Sequence, residues 1–224
     1  METVNYIFQI AANIFVIFGA IFAIYQYSKQ KKLTKIDNAI AISKYFATNM
    51  LHKVELVYSV FVSEPKIMGI IKKHEPEIQA ATDFTKEEYE RIFSETERDT
   101  YNDFIEGAIS LPNGKKIPIE QLMGDVMNEF EHCCTSFNTG LAEDTAVYQS
   151  LHQIILSIFP CFYPHICSIN EDPIDQYFTN LSELYIRWNS IKEKALKKQA
   201  KSNAKIQKMK NKSKNSGQVK RPKV

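Results

Sequence analysis

The chain has 224 residues, 44% hydrophobic and 24% charged, which allows one domain with a packed core and additional segments. Its seven glycines and eight prolines are too few for an all-β sandwich with many tight turns. The formal net charge of +2 conceals an asymmetry, because residues 192–224 hold 13 basic side chains and one acidic one. The remaining residues hold 15 basic and 25 acidic side chains, so the composition predicts an acidic body followed by a basic tail.

An uncharged apolar segment lies close to the N-terminus. No charged residue occurs between Glu2 and Lys29. As a helix, residues 6–27 would be about 33 Å long, which matches a bilayer hydrocarbon core of about 30 Å. Tyr25 and Tyr27, near its end, are typical of the membrane interface. The segment therefore predicts a single transmembrane helix.

The charges that flank this segment predict its orientation. Lysines follow it at positions 29, 31, 32 and 35, whereas only Glu2 precedes it. Because positive residues stay on the cytoplasmic side, we expect the N-terminus outside and the C-terminal domain in the cytoplasm. A cleaved signal peptide is disfavoured, since the segment lacks a basic region before it and a small-x-small cleavage site after it. A helix buried in the domain core is the other alternative.

Two small residues lie one helical turn apart inside the segment, Gly19 and Ala23. Such a pair lets two membrane helices approach closely, which is compatible with a homo-oligomer. The same spacing also arises by chance in segments rich in alanine and glycine.

The apolar pattern continues beyond the segment. From Leu33 to Phe61 apolar residues recur at steps of three and four, and no glycine or proline intervenes before Pro65. This pattern predicts that residues 28–63 form a helix that extends the anchor. One face packed on the domain core is favoured over a coiled coil.

Residues 64–198 are predicted to form a helical domain. Thr85 and Glu88 have the spacing of a capping box and predict a helix start. Asn113-Gly114 indicates a turn, for which a loop is favoured over a short hairpin. The expected helices cover 66–73, the stretch from Thr85 to Gly107, 118–140, 145–162 ending around Pro160 and Pro164, and a last helix from Asp172-Pro173.

The predicted fold class is therefore all-α. A transmembrane helix would continue into a cytoplasmic bundle of about four or five helices. Residues 199–224, rich in lysine, asparagine and serine and without an aromatic residue, are predicted to be a disordered tail.

Histidines and cysteines supply the candidate metal ligands. These are His132, Cys133, Cys161, His165 and Cys167. Zinc accepts both residue types, but the adjacent Cys133 and Cys134 would point about 100° apart on a helix. Reduced, buried cysteines at helix contacts are the favoured interpretation.

The residues Asn128, Glu131, His132 and Cys133 are the catalytic candidates. Asn128 and Glu131 share one helix face, and a half-buried Glu131 needs a partner, for which Arg187 and His132 are available. A polar contact between helices is favoured over catalysis. The sequence contains no phosphate-binding loop, dinucleotide-binding motif or nucleophile elbow, so no cofactor is expected.

The lysines of the tail predict contact with an acidic partner. Lipid head groups are the most available one beside a membrane anchor. Sequence-specific nucleic-acid binding is not expected, because no aromatic side chains alternate with the lysines.

Three short motifs carry a resemblance to a known family: Asn128-Glu129-Phe130-Glu131, the turn Gly140-Leu141-Ala142-Glu143-Asp144, and the closing Arg187-Trp188. They are similar to a bacterial, membrane-anchored helical family known only as a domain of unknown function. The resemblance covers about residues 118–190 and the position of the anchor. It implies bacterial origin, the inner membrane and the same topology, and it brings no activity or site residue.

Two hypotheses about function follow. The first is a non-enzymatic, membrane-tethered interaction or regulatory module. The second is a membrane-anchored enzyme or defence-type effector with a site around Glu131, His132 and Cys133. A cleft that joins these three side chains would favour the enzyme, and packed cysteines would favour the module.

Overall fold

One long helical rod opens the structure. The computed structural model describes residues 2–110, 114–172 and 174–216, and within these ranges it describes side chains from residue 17 to residue 209. Helix α1 covers Glu2–Tyr45, one π-helical turn covers Phe46–Met50, and α2 covers Leu51–Ser63. No proline interrupts the rod before Pro65, where the chain leaves the helical conformation at Glu64.

The π-helical turn lies where the rod meets the domain core. Its two ends, Phe46 and Met50, are both buried. The ring of Phe46 lies 5.6 Å from that of Phe130, and the Met50 sulfur lies 3.8 Å from that of Cys133.

The N-terminal part of the rod contains the segment that was predicted to be the membrane anchor. Within the part of the chain that the structure describes, no helix is both long enough and apolar enough to cross a bilayer. The first half of the predicted span, residues 6–16, lies outside the described side chains. In its second half, residues 17–27, every side chain is exposed.

Four short helices follow the rod: α3 at Pro65–Lys73, α4 at Glu75–Ala80, α5 at Lys86–Ile92 and α6 at Glu95–Ile105. The single helix predicted from Thr85 to Gly107 is therefore wrong. Phe93 is extended and buried, and Ser94 starts the new helix with Glu97 in a reciprocal capping box. This second cap was not recognised in the sequence.

Two short strands form a hairpin where a loop was favoured. Strand β1 covers Ala108–Ser110 and pairs antiparallel with β2, Lys116–Pro118. The predicted turn at Asn113 lies outside the described residues. Ile109 and Ile117 face each other and pack against the core, which compensates for the shortness of the strands.

Helix α7 covers Ile119–Asn138, close to the prediction, and the chain turns at Gly140 with a φ of +68°. A 3₁₀ turn at Asp144–Ala146 leads into α8, Tyr148–Ile169. The predicted end of α8 at its two prolines is wrong, because Pro160 and Pro164 lie inside the helix. Residues 158–167 are all buried, and this packing outweighs a penalty of about 3 kcal/mol for each interior proline.

Helix α9 covers Thr179–Ser216. It starts later than the predicted Asp172-Pro173, of which Pro173 lies outside the described residues. The buried Asn170 holds the preceding loop, since its amide donates to the carbonyl of Phe84 and its oxygen accepts from the backbone N–H of Tyr177.

The disorder predicted from residue 199 stays a prediction, and in the structure helix α9 continues into this region as far as Ser216. Alanine, lysine and glutamine favour helix, and no glycine or proline occurs between Thr179 and Ser216. Residues 217–224 of the predicted tail lie outside the described residues.

The core lies between α2, α7, α8 and α9. Its largest fully buried side chains include Trp188, Tyr185, Phe159, Phe162 and Phe130. Tyr185 stacks on Phe159 at a centroid distance of 3.9 Å. The all-α prediction is confirmed, apart from the small hairpin. Within the described residues the helices outnumber the four or five expected, because the region before the hairpin folds as short pieces.

A charge cluster joins α3 to α6. Glu97 accepts from Lys73 at 2.7 Å and from the backbone N–H and the hydroxyl of Ser94, both at 2.9 Å, and it also contacts His74 Nε2 at 3.2 Å. Burial alone would raise the pKa of this carboxyl. The bonds from Lys73, Ser94 and His74 outweigh burial and hold the pKa of Glu97 at about 2.

Replacing Glu97 by Gln should destabilise the protein by about 2 kcal/mol at neutral pH. A carboxyl whose pKa is lowered on folding stabilises the fold above its unfolded pKa, near 4.5, and loses that effect as the pH falls towards about 2. The difference between wild type and Glu97→Gln in chemical denaturation should therefore shrink over this interval. Glu95→Gln, an exposed change in the same helical turn, is the control. The same pH dependence in both variants would contradict the assignment.

Candidate functional site

Glu131 lies on α7 and faces the first turn of α9. Its Oε1 accepts from the backbone N–H of Asn180 at 3.0 Å and from the Asn180 side-chain amide at 2.8 Å. Its Oε2 accepts from the backbone N–H of Leu181 at 2.8 Å. The carboxylate therefore satisfies N–H groups that a helix start leaves unpaired, and it lies at the positive end of the helix dipole. The predicted partners of Glu131, Arg187 and His132, are wrong.

Arg187 binds a different acid. Asp144 Oδ2 accepts from Arg187 Nε at 2.8 Å and from the indole N–H of Trp188 at 3.2 Å. Trp188 is fully buried, so this bond satisfies a donor that has no access to water. The pair of contacts holds the 3₁₀ turn before α8 against α9.

The glycine turn connects this junction to the rod. Gly140 adopts the left-handed conformation that favours glycine. Beyond it, the Asn38 side-chain amide donates to the carbonyl of Leu141 at 2.9 Å, and the backbone N–H of Glu143 donates to the carbonyl of Lys35 at 3.0 Å. The three sequence motifs of the resemblance thus meet at one place, where α1, α7 and α9 join.

The four catalytic candidates do not share one cleft. Asn128 and His132 are exposed, and the carboxylate of Glu131 is occupied by α9. A cavity of about 350 Å³ is lined by His132 and Cys133 but by neither Glu131 nor Asn128. Burial, with a contribution from Glu129, raises the pKa of Cys133 to about 11. A thiol in this state is a poor nucleophile at neutral pH.

The metal-ligand candidates do not form a group of three among the residues that the structure describes. No three His, Cys, Asp or Glu side chains in the described part of the chain are placed to hold one metal ion. Cys161 and His165 are buried one turn apart on α8. Burial raises the pKa of Cys161 to about 12 and lowers the pKa of His165. All four cysteines are buried and free of disulfide bonds, and Cys134 and Cys167 also have raised pKa values because of burial.

Sequence reasoning missed a groove between α2 and α8. Two adjoining cavities, of about 410 and 360 Å³, share Tyr58, Gln153 and Ser157 in their walls. Lys72 and Lys192 line one end, whereas Ile154 and Leu51 line the other. The signal available in the sequence was an aromatic residue off the buried stripe of α2, Tyr58.

A family model matches residues 13–188, which is most of the chain. The family is described as a domain of unknown function, DUF4760. The chain belongs to this family. No curated protein and no solved structure matches it.

The DUF4760 match extends from the N-terminal helix to Trp188 and so contains the whole junction of Glu131, Asp144 and Arg187. The resemblance to a family of unknown function is confirmed at this level, and the family description assigns no activity. Bacterial origin and membrane attachment stay predictions. Most of the exposed part of α9, from residue 194 to residue 209, lies beyond the matched region.

Glu131→Ala should lower the free energy of unfolding by about 2 to 3 kcal/mol, because three hydrogen bonds to a charged acceptor are lost at the start of α9. Chemical denaturation followed by circular dichroism measures this change. Asn128→Ala, an exposed change on the same helix, should stay within about 0.5 kcal/mol of wild type. Equal stability of both variants would show that the Glu131 contacts contribute nothing.

Proposed function

We propose that this chain is a membrane-tethered helical module that acts by binding a partner. The observation that carries the proposal is the exposure of the apolar side chains of residues 17–27. Ile17, Phe18, Ile21 and Phe22 are each more than half exposed. At about 100° per residue they cover an arc of about 140° around α1, so they form one broad apolar surface of the helix. Burial of such a surface requires lipid or another protein.

The rod supplies the link between this segment and the domain. From residue 17 to residue 34 every side chain of α1 is exposed, and the first fully buried one is Ala39. The rod then passes through the core to Ser63. Because the helix has no break between the two parts, an anchor formed by residues 6–27 would hold the domain at a set distance and angle from the bilayer.

The orientation follows from charge. Lys29, Lys31 and Lys32 lie directly after the apolar segment, which favours an N-terminus outside and a cytoplasmic domain at the bacterial inner membrane. Gly19 is exposed and a Cβ added to it would meet no atom within 4 Å, so this side of α1 is open to a second copy of the chain.

Binding rather than catalysis is supported by the surface. The Glu131 carboxylate holds the start of α9 and Cys133 is buried, whereas the α2–α8 groove offers an open wall with apolar and polar groups. The lysines of the exposed end of α9 favour contact with anionic lipid. Sequence-specific nucleic-acid binding is not part of the proposal, since no aromatic residue lies among these lysines.

Ile17→Arg tests the anchor. Residue 17 lies at the centre of the segment 6–27, where an arginine disfavours insertion by about 2.5 to 3.5 kcal/mol. We expect a loss of full-length protein from membranes washed with alkaline carbonate. Ile40→Arg is the matched control, since Ile17 is 58% and Ile40 56% exposed on the same helix and Ile40 lies outside the segment. Release of wild type, or equal behaviour of both variants, would refute the anchor.

The orientation has its own test. A reporter that is active only outside the cytoplasm, fused after Val224, should stay silent, because the flanking lysines keep the C-terminal side in the cytoplasm. The same reporter fused before the apolar segment is the positive control. Activity of the C-terminal fusion would reverse the assigned topology.

A further inference from the structure

A further cavity lies beside the exposed part of α1, between this helix and the glycine turn. It has a volume of about 410 Å³. Its wall on α1 is formed by Tyr27, Gln30, Lys31, Thr34, Lys35 and Asn38, and its wall on the turn by Gly140 and Leu141. The positions on α1 repeat at steps of three and four, so one face of the helix lines the cavity.

We propose that this cavity binds the phosphate head group of an anionic phospholipid. The proposal rests on the membrane anchor proposed above, because it needs the cavity at the surface of the bilayer. Tyr27 ends the apolar segment, and Lys31 and Lys35 follow it by one and two turns. The cavity therefore begins where the head groups of the cytoplasmic leaflet would lie.

Two of the residues that line the cavity, Lys31 and Lys35, carry ammonium groups. Among the described residues, neither Lys31 nor Lys35 forms an ion pair with a carboxylate. Of the two acids on the turn, Asp144 pairs with Arg187, and the Glu143 carboxylate accepts from the Thr145 hydroxyl and forms no ion pair with either lysine. A phosphate is a partner of the charge that this site lacks.

The turn lies against one of these lysines. A Cβ added to Gly140 would lie 3.6 Å from the Lys35 ammonium, an ordinary contact distance, so this ammonium lies beside the turn. The turn is itself held to α1 by the bond from Asn38 to the Leu141 carbonyl. This built wall distinguishes the cavity from a row of lysines on a free helix.

Leu141 supports a lipid rather than a soluble phosphate. Its side chain is 62% exposed at the edge of the cavity. A soluble ligand leaves this apolar group in water, whereas a phospholipid brings acyl chains and the interface next to it. We therefore assign the site to a membrane lipid.

The test uses the full chain in vesicles of phosphatidylcholine with a minority of phosphatidylglycerol. Spin-labelled versions of the two lipids report, by the motionally restricted signal, how strongly the protein prefers phosphatidylglycerol. Wild type should show a preference. Lys31→Gln with Lys35→Gln should remove most of this preference, since each change deletes a charge-assisted hydrogen bond to the head-group phosphate that residues outside the cavity do not make.

Lys29→Gln with Lys32→Gln is the matched control. It removes the same charge from the same stretch of α1, but both residues are exposed and neither lines the cavity. We expect a much smaller loss of preference. Equal losses in the two double variants, or no preference in wild type, would overturn the site, and circular dichroism verifies that both variants keep the fold.

Two further measurements separate the causes of failure. Inorganic phosphate added to wild type should leave the restricted phosphatidylglycerol signal unchanged, and its displacement would overturn the lipid assignment in favour of a soluble phosphate. Alkaline carbonate washing of the same vesicles reports insertion. Protein that is released overturns both the anchor and the lipid site, whereas protein that is retained without a lipid preference overturns the lipid site alone.

Discussion

The carboxylate of Glu131 on the first turn of α9 is the contact on which the arrangement of this domain depends. Helix α9 carries Trp188, Tyr185 and Leu184 into the core, and these side chains are buried only if the helix starts at the right place. The loop before α9 is held at Asn170, but these contacts do not reach the first turn of the helix. An acid from a different helix does so, by accepting the N–H groups of residues 180 and 181.

The junction around this contact combines three helices that are distant in sequence. Asp144 fixes the approach to α8 by binding Arg187 and Trp188 on α9, and the turn after Gly140 is bonded to α1. The carboxylates of Glu131 and Asp144 and the Nε of Arg187 hold helices together there, which explains why acids and an arginine beside a tryptophan stand out in the sequence. The DUF4760 match spans these residues.

Much of the fold could be predicted from the sequence, because a long amphipathic helix repeats its apolar residues at steps of three and four. The rod to Ser63 and helix α7 are of this kind. The errors have physical causes. Pro160 and Pro164 normally end a helix, and only burial on all sides, which a local pattern cannot show, keeps α8 intact. The partner of Glu131 could not be inferred, since it is the N-terminal backbone of helix α9, about 50 residues away, rather than a charged side chain. The groove between α2 and α8 depends on the distance between these two helices, which the sequence of neither helix predicts by itself.

The unbroken rod has a geometrical consequence for the proposed tether. A helix rotates by about 100° and advances by about 1.5 Å for each residue. If the apolar segment settles one residue deeper in the bilayer, the domain moves little towards the surface. Its azimuth around the helix axis, however, turns by more than a quarter of a revolution when the interfacial side chains of the anchor keep their own orientation. Because membrane helices are tilted by about 20° on average, bilayer thickness and the depth of Tyr25 and Tyr27 would then select which side of the domain, that of the α2–α8 groove or the opposite one, lies nearer the membrane surface.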